Sequence, residues 1–161
     1  MTTREYNNCV DQHADGVFRF ILKNLKDEHG AQDVVQDAFE KLWVNHKKLA
    51  ADKAKSYLFT TAYHTMIDLI RRNKHTNNLE DMPEAGNTTF HDYSDLREVL
   101  DEALKKLNEV QRSVILLRDY EGYSYQEIGE ITGLNESQVK VYIYRARVFL
   151  KNYIVSPEHV I

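Results

Sequence analysis

The hydrophobic positions of this chain fall into stripes with a helical period. Val17, Phe18, Ile21, Leu22 and Leu25 recur at the three- and four-residue spacing that places side chains on one helix face. The polar run from Asp27 to Gly30 interrupts that stripe, and Gly30 is able to take a left-handed turn there. Val34, Val35, Ala38, Phe39, Leu42 and Trp43 build a second stripe with the same period. A third helix is predicted over 52–73, with Leu58, Ala62, Met66, Leu69 and Ile70 on its apolar face. Arg71, Arg72 and Lys74 crowd its end, where cations meet the negative pole of the helix dipole.

Residues 77–93 lose the period and hold Pro83 and Gly86 among several Asn and Thr, which reads as a flexible linker. Fully extended, that segment reaches about 55 Å, the length of about 16 base-pair steps of B-DNA. Beyond it, Leu96, Leu100, Leu104 and Leu107 mark a helix with Ser94 as its N-cap. Asn108 with Gln111 caps the next helix, which carries Val110, Val114 and Leu117 and stops at Gly122. Ser124 with Glu127 fits a capping box for a short helix ending at Gly133, and Asn135 with Gln138 opens the last helix in a similar way. The pattern predicts an all-α fold of two small helical domains. A three-helix bundle over 1–76 and a four-helix bundle over 94–155 are joined by the linker 77–93.

Composition narrows the class. Only 6 Gly and 2 Pro among 161 residues exclude collagen-like, linker-dominated and many-turned β architectures. A single cysteine, Cys9, leaves neither a disulfide framework nor a cysteine metal cluster, which fits a reducing cytosol. The N-terminal residues carry no apolar signal region, and no apolar run approaches the roughly 20 residues that span a bilayer. A cytoplasmic protein is expected.

The net charge of −4 conceals a pattern. Residues 1–76 sum to +2, 77–93 to −4 and 94–135 to −4, whereas 136–152 reverse to +3 through Lys140, Arg145, Arg147 and Lys151. A positive helix closing an acidic module is a focused electrostatic footprint, or else a solvated surface helix.

The last two helices, short and joined through a glycine turn, form a helix-turn-helix pattern whose second helix fits a DNA major groove. At 100° per residue, Val139, Ile143, Ala146 and Leu150 share a core face. Ser137, Val141, Tyr144 and Val148 point the opposite way, with Lys140, Arg145 and Lys151 on the flanks. An Arg on that face can donate two hydrogen bonds to one guanine. Val141 and Tyr144 suit thymine methyls, and Arg147, further round, suits a phosphate or a structural ion pair. A partner-docking helix would show much of the same pattern. His64 and Asp68, four residues apart, supply two ligands of a metal site and no more.

At this point a family resemblance carries further. Ser124-Tyr-Gln-Glu-Ile-Gly-Glu-Ile-Thr-Gly-Leu-Asn-Glu-Ser-Gln-Val-Lys-Val-Tyr-Ile-Tyr-Arg-Ala-Arg147 resembles region 4.2 of the extracytoplasmic-function (ECF) subfamily of bacterial sigma-70 factors. Residues 107–122 are similar to region 4.1, 31–43 to region 2.2, and 57–72 to regions 2.3 and 2.4. The resemblance covers almost the whole chain in order.

It implies a dissociable promoter-recognition subunit without covalent chemistry or cofactor, and the chain shows no P-loop or hydrolase constellation. In such factors the region 2.2 helix docks on core RNA polymerase, which here implicates Asp33, Gln36, Asp37, Phe39 and Trp43. Regions 2.3 and 2.4 capture the unpaired −10 strand, implicating Lys55, Tyr57, Phe59, Tyr63, His64, Arg71 and Arg72. The recognition helix reads the −35 duplex through Ser137, Lys140, Val141, Tyr144, Arg145 and Arg147. The family implies an anti-sigma factor as a further partner, often membrane-anchored and wedged between the domains. Four positions depart from the family pattern. His64 replaces the usual Asn, Gln32 a common Glu, Asn108 a frequent Pro, and Val141 a small polar residue.

Overall fold

The computed structural model describes residues 1–77 and 92–155, with the side chains of 76–77 and 92–95 left out. Every regular element among the described residues is helical. The linker reading for 77–93 falls almost wholly outside them, as does the side chain of Ser94, which lies two residues inside its helix rather than at the cap.

The first bundle comprises α1 (Thr3–Leu25), α2 (Glu28–Asn45) and α3 (Ala54–Asn77). Helix α1 begins with a capping box. The Glu5 amide donates to Thr2 Oγ1 at 3.1 Å, and the Thr2 amide to Glu5 Oε1 at 2.9 Å. The left-handed residue after α1 is Lys26 (φ 57°), whose N–H donates to the Leu22 carbonyl at 2.8 Å. This corrects the expectation for Gly30, which already lies in the first turn of α2. Two single 3₁₀ turns, His46–Lys48 and Ala51–Lys53, lead into α3, so that helix starts two residues later and runs four further than its periodicity predicts.

The second bundle comprises α4 (Asp92–Lys106), α5 (Glu109–Ile115), α6 (Tyr125–Thr132) and α7 (Glu136–Val155). The predicted caps form. Asn108 Oδ1 accepts from the Gln111 amide at 2.8 Å, Ser124 and Glu127 close a reciprocal box, and Asn135 does the same with Gln138. Gly133 ends α6 at φ 79°, a conformation a side chain would strain. After α5 the chain widens into a π-helical turn, Leu116–Tyr120, before the bend at Gly122. Leu104 and Leu107 of the predicted α4 stripe are buried, but Leu96 remains 60% exposed.

The two bundles pack together. Helix α3 lies along α6, α1 touches α5, and one apolar cluster runs from Val17 and Phe20 through Phe59 and Leu58 to Leu116, Ile128 and Ile143. Burial on this scale is the main favourable contribution to folding.

Candidate nucleic-acid and polymerase interfaces

Helix α7 is anchored from beneath by Val139, Ile143 and Ala146, all buried, with Leu150 half-buried. Its opposite face presents Ser137, Lys140, Val141, Tyr144, Arg145 and Val148 to solvent, with Tyr144 at 69% exposure. Lys140 sits 3.6 Å from Glu136, one turn back, and its ammonium lies 5.6 Å from the Tyr125 ring centroid. The Arg118 guanidinium packs on that same ring at 4.4 Å and donates to the Tyr123 carbonyl at 2.9 Å. Tyr125 thus supports a second cation beside α7. Arg147 is a forked partner of Asp119, with Nε 3.1 Å from Oδ2. This hydrogen bonding holds its guanidinium more firmly protonated and ties α7 to the π turn.

The outer face of α2 carries Asp33, Gln36 and Trp43 exposed, with Asp37 and Phe39 half-buried. Gln36 donates to Glu40 at 3.2 Å, and Asp37 pairs with Lys41 at 3.0 Å. Trp43 keeps 43% of its surface in solvent while its ring stacks on His46 at 4.1 Å and meets Tyr6 edge-on at 4.9 Å. Tyr6 in turn donates to the Phe39 carbonyl at 3.1 Å, so the aromatic patch is braced by α1. A rigid exposed indole flanked by carboxylates suits a basic partner surface.

The face of α3 is divided. His64 is exposed and edge-on to Tyr63 at 5.4 Å, and Arg72, two turns further along, is also exposed. Tyr57 is half-buried and accepts a 2.9 Å hydrogen bond from Asn45. Tyr63 is buried, which pushes its hydroxyl pKa up. Phe59 is fully buried, packed on Phe20 at 6.1 Å and edge-on against Tyr123 of the second bundle at 5.1 Å. Lys55 sits 3.2 Å from Glu127 and 4.0 Å over the Tyr123 ring, and Arg71 lies 3.8 Å from Glu109.

Residues 9–76 match the description "Sigma-70 region 2" and residues 97–150 match "Sigma-70, region 4". Among curated relatives, the chain is 31% identical to the ferric citrate uptake sigma factor FecI of Escherichia coli, covering 88% of this chain and 86% of that one. It is 27% identical to the ECF RNA polymerase sigma factor SigM of Bacillus subtilis, covering 90% and 92%. The chain belongs to the ECF branch of the sigma-70 family. It is a promoter-recognition subunit of RNA polymerase.

Two solved structures share the fold. Sigma factor RpoE in complex with the anti-sigma factor NepR from Bartonella quintana superposes with a TM-score of 0.76 at 21% identity, covering 96% of this chain and 99% of that one. CnrH, in complex with the cytosolic domain of CnrY, gives 0.72 at 24% identity, covering 95% and 89%.

Within this sigma factor, the residues that the sequence singled out for the −35 and polymerase faces lie on α7 and α2, accessible except for Asp37 and Phe39, which are half-buried. Those for the −10 face are split, with Lys55, Phe59 and Arg71 facing the second bundle. Several residues of that contact were not among the candidate site residues: Arg19, Asn24, Glu109, Arg112, Glu121 and Tyr123. Their signal is purely three-dimensional. Arg118 and Tyr125, inside the segments of family resemblance, were likewise not named as site residues, because their stacking brings together two separate helical segments.

Proposed function

We propose that residues 1–76 dock on core RNA polymerase and handle the −10 element, that 94–155 read the −35 element, and that 77–93 connect the two. The observation that carries this reading is the exposed face of α7, where Ser137, Lys140, Val141, Tyr144 and Arg145 stand clear of the core on a helix held by Val139, Ile143 and Ala146. That face has the width and donor chemistry for a major groove. Trp43, with Asp33, Gln36, Asp37 and Phe39, would engage the polymerase, and His64 with Arg72 marks the accessible end of the −10 surface. The structural relatives bound to NepR and CnrY support an anti-sigma factor as a third partner. The work takes place in the cytoplasm with the polymerase, and the factor contributes binding energy instead of covalent chemistry. Among the described residues, no helix is long and apolar enough to cross a membrane.

Run-off transcription by sigma-free core polymerase on a library of bacterial promoters tests the assignment. Initiation at discrete sites only when the chain is present is the expected result. Specific duplex binding by the chain alone, without initiation, would point to a free-standing regulator.

A further inference from the structure

We propose that His46 and Tyr6 are positioning residues for polymerase docking, which hold the Trp43 indole in one orientation before the polymerase arrives. The inference rests on the docking role proposed above for Trp43.

The three rings form one assembly built from three separate pieces of chain. Trp43 comes from the last turn of α2, His46 from the 3₁₀ turn that follows, and Tyr6 from the start of α1. The indole lies nearly parallel to the imidazole, with 10° between the planes and 4.1 Å between centroids. Tyr6 meets the indole edge-on at 4.9 Å and reaches the imidazole at 6.3 Å, tilted by 56°. Stacked and edge-on contacts are both favoured between aromatic rings. All three residues belong to the first bundle, and these ring contacts stay within it, apart from the seam at which the two bundles pack.

Each bracing ring is itself fixed by the backbone of α2. The Tyr6 hydroxyl donates to the Phe39 carbonyl at 3.1 Å, one turn before Trp43. The Trp43 carbonyl accepts twice from His46, from its backbone N–H and from Nδ1 of its ring. A carbonyl can only accept, so Nδ1 carries the hydrogen.

Exposure separates brace from anchor. His46 is 7% exposed, whereas Trp43 keeps 43% of its surface in solvent and Val44 beside it 78%. The imidazole therefore underlies the indole and is not itself a surface that a partner would meet. Ordering a free side chain on binding costs free energy, and a side chain already ordered avoids that cost. An indole stacked on one ring and edged by another presents its open surface in one place.

Trp43 is the single tryptophan of the chain, so its fluorescence reports the assembly without a label. Time-resolved anisotropy of the wild-type chain is expected to show tumbling of the whole molecule without separate fast rotation of the indole. His46→Ala should introduce that fast rotation and weaken binding to core polymerase about fivefold, the scale of ordering one side chain. Tyr6→Leu should act in the same direction. His46→Phe keeps a ring to stack on and a backbone N–H for the Trp43 carbonyl, and should restore the slow indole and the wild-type affinity.

The deciding measurement repeats His46→Ala in a Trp43→Ala background. A residue that acts through Trp43 adds no further loss there, whereas general weakening of α2 would lower affinity in both backgrounds. Should His46→Ala fail to fold, Tyr6→Leu carries the same comparison.

A mobile indole in the wild-type chain would overturn the proposal. So would bracing variants with unchanged polymerase affinity, or a loss that persists in full without Trp43. In those cases a weakened Trp43→Ala chain would leave the docking assignment standing. Wild-type affinity in Trp43→Ala itself would remove the docking role of the indole, and the proposal with it.

Discussion

The side-chain oxygen of Asn24 accepts a 2.9 Å hydrogen bond from Nε of Arg112, 88 residues further along the chain, and both side chains are buried. The Asn24 amide nitrogen donates backward to the Phe20 carbonyl at 3.0 Å, which leaves its oxygen aimed across the seam. Arg112 also caps the Leu107 carbonyl at 3.1 Å, and Ser113 Oγ approaches the same Asn24 oxygen at 3.4 Å. Burial lowers the pKa of the Arg112 guanidinium, since a charge removed from water must be met by protein dipoles. Asn24→Ala removes one of those dipoles and leaves a buried charged donor unmatched. Urea titration should show a loss of about 2 kcal/mol, the scale of an unsatisfied buried group.

Acid should loosen the seam. The Glu127 carboxyl is held below its ordinary value of 4.5 by hydrogen bonding to the Ser124 backbone and by Lys55. Burial pushes the Glu109 carboxyl up, but its own backbone N–H, the Lys74 ammonium and the Arg71 charge together bring it below 4.5. A folded-state value below the unfolded one gives stability that is complete above about pH 4.5 and is lost as pH falls through the lower, folded value. Thermal melts from neutral to acidic pH should therefore fall below that point. Glu109→Gln should flatten the fall, and an unchanged slope would remove Glu109 from the account.

Phe59 and His64 lie on the same helix and should respond oppositely. Phe59→Ala empties a fully buried site between Phe20 and Tyr123, at a cost of about 3–5 kcal/mol by denaturant unfolding. His64→Asn changes an exposed side chain and should move stability by no more than about 0.5 kcal/mol. Its effect should appear in promoter selection instead, as an altered base preference at the −10 element in run-off sequencing.

Trp43→Ala should separate docking from folding. The indole is 43% exposed and stacked on His46, the arrangement of an interface anchor more than of a core residue. Affinity for core polymerase should fall by about 2 kcal/mol, near thirtyfold, in a titration with labelled chain. The helical circular-dichroism signal should be retained.

Tyr144 and Lys140 should divide base reading from backbone binding on α7. Tyr144→Ala should reduce discrimination at a single −35 position, by about 1–3 kcal/mol if the contact is to a base edge. Lys140→Ala should weaken all promoters about equally and lower the salt dependence by about one phosphate contact if the ammonium meets the backbone. Filter binding of the polymerase holoenzyme at several salt concentrations distinguishes these outcomes.

The helix-turn-helix was legible because its determinants are local. Ser124 with Glu127, and Asn135 with Gln138, satisfy backbone amides three residues away, and Gly133 supplies the left-handed turn. The outer face of α7 follows from the 100° step once Val139, Ile143 and Ala146 are assigned to the core. The first break was misplaced for a local reason too. A glycine suggests a left-handed turn, but Lys26 adopts it with a 2.8 Å bond to Leu22, and Gly30 is free to enter the next helix. The capping box of Thr2 and Glu5 was visible in the sequence and went unread.

The sequence by itself determined where the helices lie, which faces are apolar, and which residues line the outer face of α7, because propensity, capping and period act within a few residues. Only the tertiary structure decided that Phe59, Lys55 and Arg71 face the second bundle. Arg19 and Glu121 are 102 residues apart and meet through a forked ion pair, yet each reads in sequence as an ordinary charge on a helix or turn. No local period couples two such positions. Their pairing follows from the angle at which two hydrophobic faces pack, and that angle is a property of the assembled core.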